Sequence, residues 1–210
     1  MDYIFEQLHK IGIIPVIKIN DANQAVELAK ALRNGGLPTA EITFRSQAAA
    51  KSISEITENV SDFMVCAGTV LNIENAKKAV ESGAKAIISP GTNPEVVEWC
   101  LANNVIVIPG CATPSEIECC MRMGLKVVKL FPAEIVGGVK ILKAFSGPYA
   151  DMKFMPTGGI NLSNVNGYLK LPNVVACGGS WMVPEKLLDQ GDFAQIEKLS
   201  SEAAACLNTL

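Results

Sequence analysis

Short apolar runs rich in valine and isoleucine recur along this chain, each followed by a polar stretch of helical periodicity, and that alternation constrains the fold most. The runs predict strands at Ile13–Ile19, Ala40–Phe44, Phe63–Gly68, Ala86–Ser89, Val105–Pro109, Lys126–Phe131, Phe154–Thr157 and Val174–Cys177. They are short, nearly continuous in apolar character and punctuated by Gly or Pro, as parallel strands buried on both faces are. Helices are predicted between them at Asp21–Asn34, Gln47–Asn59, Ile73–Ser82, Pro94–Ala102, Pro114–Met123, Gly137–Phe145 and Leu162–Leu169. Asn93-Pro94 and Thr113-Pro114 each set a capping residue before a proline at the first helical position. Gly35, Gly83 and Gly124 are placed to stop three helices, where a left-handed residue is easiest for glycine.

The unit repeats about every 20–25 residues, eight times over. Right-handed crossovers of eight such units close into a (β/α)8 TIM barrel, so the expected class is α/β. An amphipathic helix precedes the first strand, and a last one is predicted over Phe193–Leu207. A doubly wound open sheet is the competitor, but it usually carries a glycine phosphate loop after its first strand. Ile19-Asn20-Asp21 contains no glycine. No linker divides the chain, so one domain is expected over residues 1–210. A domain of that length buries on the order of 70% of its unfolded surface.

Composition removes whole classes of function. Hydrophobic residues make up 49% and charged ones 19%, which excludes disorder. The net charge of −3 leaves no basic footprint for nucleic acid. A single histidine, His9, argues against a zinc enzyme with several imidazole ligands and against a Ser-His-Asp hydrolase. Seven cysteines include no C-x-x-C, their only close pair being Cys119-Cys120, and most lie in apolar runs where a thiol acts as a small hydrophobe. No secretory leader is evident, and no apolar run is long enough to cross a bilayer. A reduced, cytoplasmic protein is the expectation.

Barrel sites form where strands end, so polar residues at those ends matter most. Lys129 stands inside an apolar strand, with no helical face to carry it to solvent, and lysine is rarely buried unpaired. It is either half of a structural ion pair, with Glu41 the obvious partner, or an amine able to attack a ketone. Alternation puts Glu41, Thr43 and Arg45 on one face of the second strand. Arg45 is either a bidentate clamp for a carboxylate or an ordinary surface arginine. Gly158-Gly159 and Gly178-Gly179, with Ser180, follow the seventh and eighth strands, where barrels commonly hold phosphate; tight turns needing positive φ are the alternative. Lys18, near the end of the first strand, is either a rim charge or a participant.

The segments EITFR (41–45), AGTVLN (67–72), ISPG (88–91), IPGCATPSE (108–116), KLFPAE (129–134), PTGGI (156–160) and GGSW (178–181) occur in that order. Together they resemble the 2-keto-3-deoxy-6-phosphogluconate/4-hydroxy-2-oxoglutarate aldolase family of class I aldolases, over nearly the whole chain. The resemblance implies a Schiff base on Lys129, with Glu41 as general acid/base. It implies a pyruvate pocket shaped by Arg45, Thr69 and Pro90, with Thr157 beside the substrate. Gly158, Gly159 and Ser180 would hold a distal phosphate. It further implies no cofactor and no metal, a small 2-keto acid phosphate as substrate, and a homotrimer. The first strand and Lys18 are less family-like. A phosphosugar isomerase or decarboxylase on a phosphate-binding barrel is the alternative enzyme, and a metabolite-binding barrel without chemistry the non-enzymatic one.

Overall fold

Period-two alternation decides which side of each strand every residue takes. The computed structural model describes residues 2–209, with side-chain surroundings for 3–207. The strands are β1 (Ile13–Ile17), β2 (Thr39–Thr43), β3 (Met64–Gly68), β4 (Ala86–Ile88) and β5 (Ile106–Ile108). They continue as β6 (Gly110–Cys111), β7 (Val127–Leu130), β8 (Lys153–Pro156) and β9 (Cys177–Gly179). One sheet runs in the order β5-β4-β3-β2-β1-β9 and a second in the order β6-β7-β8, with every paired neighbour parallel. The result is an α/β fold built on curled parallel sheet. The sheets touch at both borders. Lys129 N donates to Pro109 O at 2.8 Å, and Thr157 pairs with Gly178 in an isolated parallel bridge.

Alternate residues separate into two cores. Ile87, Val107, Val128 and Leu130 join the large cluster beneath the helices. Ala86, Ile88, Ile106, Ile108 and Val127 join a smaller one with Leu8, Ile14 and Cys66. Leu8 belongs to the helix Asp2–Ile11, which therefore plugs the inner cluster. Ala40 and Ile42 of β2 face the helix side, so Thr39, Glu41 and Thr43 face inward. By the same alternation Lys129 points inward beside Val127.

The helices follow the expected order. Ala25–Asn34 buries Ala25, Leu28, Ala29 and Leu32, a stripe at helical spacing. Pro94–Ala102 begins on an Asn93 cap, and Pro114–Arg122 on a Thr113 cap. Gly83 and Gly124 take left-handed φ of 98° and 82°. Gly35 does not: its φ is −73°, and the left-handed residue is Gly36 at 85°. No helix among the described residues is long and apolar enough to cross a membrane.

The structure departs from the expectations in several places. The last strand lies at Cys177–Gly179 rather than Val174–Cys177, and Val174 makes only an isolated bridge to Phe154. Gly178 and Gly179 are thus strand residues paired with Ile14 and Pro15, neither in a left-handed turn. The Val105–Pro109 run holds β5, and an unpredicted strand, β6, follows Pro109 and pairs with β7. A short helix at Glu185–Asp189 lies outside every predicted one. In space, the sulfur of Cys120 lies 3.6 Å from that of Cys111.

The Thr113 cap gives a test of helix Pro114–Arg122. Glu116 Oε2 accepts from Thr113 N and Ala112 N, each at 2.8 Å, which holds its carboxyl below the usual range. Thr113→Ala should lower stability by about 1 kcal/mol in urea unfolding. The part contributed by Glu116 is present above its unfolded pKa and fades as pH falls through the lowered one.

Candidate active site

Inward-facing positions of β2 and β7 put Glu41 and Lys129 opposite each other. Lys129 Nζ donates to Glu41 Oε1 at 3.0 Å and to Oε2 at 3.2 Å. Lys129 is 4% exposed and Glu41 1%, so the pair is shielded from water. Phe131 lies under the ammonium, its ring centroid 5.6 Å from Nζ. Cys66 is the neighbour of Glu41 on β3. Burial, then the charge of Glu41, pushes its thiol up to about 12, which keeps it protonated and unreactive.

Gly68 makes room for the carboxylate. A Cβ there would lie 2.2 Å from Glu41 Oε1. Thr69, the next residue, has φ of 56°, a left-handed conformation unusual for a β-branched side chain and of the kind that collects at functional sites. Pro90 follows β4 after Ser89, and its carbonyl leaves no room for a side chain at Gly110, where a Cβ would sit 2.0 Å away. Gly110 in turn pairs with Lys129 across β6 and β7.

Arg45 extends the inner face of β2 beyond its end. Its Nε donates to Thr43 Oγ1 at 3.0 Å, and that hydroxyl donates to Ile17 O at 2.9 Å. The guanidinium is exposed and lines a cavity of about 230 Å³ with Lys18, Ser180 and Glu185. Thr157 follows β8 and is 6% exposed, yet its Oγ1 has no hydrogen-bond partner. Buried hydroxyls are normally satisfied, so this one is free for a bound group. Gly178 gives it space, because a Cβ there would meet Thr157 Oγ1 at 2.3 Å. Gly158 and Gly159 take left-handed φ of 102° and 79°. Their loop is laced to the segment after β7, with Ala133 N donating to Thr157 O at 2.8 Å and Glu134 N to Gly158 O at 3.1 Å.

Two groups stand out among the residues singled out in the sequence, apart from Thr69, Pro90, Thr157, Gly158 and Gly159, which belong to neither. Lys129 and Glu41 touch, while Arg45, Lys18 and Ser180 share a cavity. Sequence reasoning missed Gly68, Gly110 and Phe131. An interior strand glycine does signal close approach, but not to which atom. It also missed Glu134, which accepts from the Tyr168 hydroxyl and packs where a side chain at Gly159 would stand. Among the described residues no cluster of three or more His, Cys, Asp or Glu could hold a metal ion.

Residues 4–199 match the family model described as KDPG and KHG aldolase. The chain belongs to that aldolase family. Among aldolases of this kind, the 2-dehydro-3-deoxy-phosphogluconate aldolase of Treponema pallidum is 45% identical over 95% of both chains. That of Haemophilus influenzae is 46% identical, covering 95% of this chain and 94% of its own. A KDPG aldolase from Legionella pneumophila, solved with pyruvate captured as a covalent carbinolamine, superposes with a TM-score of 0.90 at 37% identity, covering 94% of this chain and 96% of its own.

Adding one methyl to the floor of the pair tests the geometry. Gly68→Ala should fold, since Gly68 has no left-handed backbone, but must move the Glu41 carboxylate by an ångström or more. Displacement on that scale costs a rate of the order of a hundredfold. Steady-state aldol cleavage beside circular dichroism checks both halves of the expectation.

Proposed function

We propose that this chain is a class I aldolase that cleaves 2-keto-3-deoxy-6-phosphogluconate to pyruvate and glyceraldehyde 3-phosphate. The observation that carries the reading is the water-shielded contact between Lys129 Nζ and Glu41. Cleavage of 4-hydroxy-2-oxoglutarate to pyruvate and glyoxylate is a second activity of the same site. The pyruvate carbinolamine of the Legionella relative supports the covalent route. A Zymomonas mobilis aldolase of this type, 34% identical with a TM-score of 0.89 and covering 96% of this chain and 95% of its own, was solved with 3-phosphoglycerate, which supports a phosphorylated partner.

Glu41 takes a proton from Lys129 and frees its lone pair. The amine attacks C2 of the ketone to give a carbinolamine. Glu41 returns its proton to the carbinolamine hydroxyl, which leaves as water, giving an iminium ion and restoring the carboxylate. Glu41 then removes the C4 hydroxyl proton as the C3–C4 bond breaks. Its electrons pass into the iminium, leaving an enamine while the aldehyde departs. Protonation at C3 and hydrolysis release pyruvate and restore the amine. The electron sink is the imine on Lys129, so the cycle runs without an external cofactor.

Arg45, Thr69 and Pro90 shape the pyruvate end, with Arg45 on the carboxylate. The unpartnered Thr157 hydroxyl serves the substrate. Gly158, Gly159 and Ser180 hold the phosphate, a role that the left-handed pair at 158–159 supports, since successive amides there can converge on an anion. The border contacts between the two sheets support closure into one eight-unit (β/α)8 barrel, with residues 1–210 a single domain. A homotrimer in the cytoplasm completes the reading, and light scattering tests the trimer.

Borohydride reduction with pyruvate should add a pyruvyl mass to the peptide containing Lys129. Lys129→Ala abolishes the adduct and cleavage, but strands a buried carboxylate at a cost of about 3–5 kcal/mol. The double variant with Glu41→Gln relieves that charge and separates lost chemistry from lost fold. An adduct elsewhere, or full activity without Lys129, overturns the assignment.

A further inference from the structure

Lys18 and Glu185 are the charged residues of the cavity that the chemistry above leaves unused. Lys18 stands one residue beyond β1, whose neighbour β9 ends one residue before Ser180. Both line the cavity of about 230 Å³ that Arg45 also enters. Lys18 Nζ lies 3.4 Å from Glu185 Oε1, with side-chain exposures of 38% and 62%. A pair so long and so wet is held weakly and opens readily.

We propose that Lys18 supplies the cation for the distal phosphate and thereby sets the preference for phosphorylated over unphosphorylated aldehydes, an inference that rests on the aldolase reading. Charge balance argues for it. A 2-keto acid phosphate brings a carboxylate and a near-dianionic phosphate, and Arg45 answers only the first. Ser180 and backbone amides are neutral donors, weaker toward an anion than an ammonium is. Glu185 faces the same cavity as the opposing charge. In the empty cavity it neutralises Lys18, and an entering phosphate competes for the ammonium. Glu185 thus weakens phosphate binding while Lys18 strengthens it.

The test runs the reaction in the direction of addition, with pyruvate fixed and two acceptors that differ only in the phosphate, glyceraldehyde 3-phosphate and glyceraldehyde. Lys18→Ala should raise KM for the phosphorylated acceptor about tenfold, the worth of one charge-assisted hydrogen bond, and leave glyceraldehyde little changed. Lys18→Arg should retain most of the preference, and Glu185→Gln should lower KM for the phosphorylated acceptor. Equal change for both acceptors, or none for either, overturns the role of Lys18. Borohydride trapping with pyruvate in the same preparations keeps the two readings apart. A wild-type chain without the Lys129 adduct overturns the aldolase reading itself, whereas an intact adduct beside an unselective Lys18→Ala overturns Lys18 alone.

Discussion

A lysine and a glutamate held together out of water organise the rest of this molecule. Either charge alone would be untenable at their positions, and breaking such a pair strongly destabilises a fold. Their 3.0 Å contact therefore demands that β2 and β7 face each other across one interior. It also demands that nothing larger than hydrogen stand at Gly68, and that Gly110 let the Pro90 carbonyl approach the strand next to Lys129. Apolar residues at the neighbouring inward positions exclude water, and Leu8 of the first helix closes the inner cluster from beyond the strands.

The functional groups lie in a gradient of exposure. Lys129 and Glu41 are deepest, Thr157 is buried with an unpartnered hydroxyl, and Arg45 and Ser180 reach the surface. That ordering suits the proposed substrate, whose ketone must be dry and whose anionic groups can remain partly solvated. Desolvation strengthens electrostatic interactions where bonds change, while the outer cavity needs only attraction and orientation.

Much of this was legible in the residues because period and polarity disagreed at a few places. A lysine amid Val127, Val128 and Leu130 cannot be a surface residue, and a glutamate between Ala40 and Ile42 has the same difficulty. Proline-led helices were equally plain, since Asn93 and Thr113 cap in the manner that local chemistry requires. What escaped depends on neighbours far along the chain. Gly178-Gly179 reads as a turn, yet it is strand, because Thr157 and Trp181 occupy the space that side chains there would need. Nothing local to Gly68 announces Glu41 above it. The contact of Lys18 with Glu185 joins residues 167 apart, and no spacing rule reaches that far.

The buried pair itself joins residues 88 apart in sequence. During synthesis Glu41 is therefore made well before the lysine it meets, and the strand carrying that lysine is completed by β8, which is made later still. In a nascent or clipped chain that lysine has no such partner and stays solvated. The water-shielded pair appears with the finished tertiary structure and vanishes with it, so unfolded or fragmentary copies of this protein lack the carbonyl chemistry proposed for it.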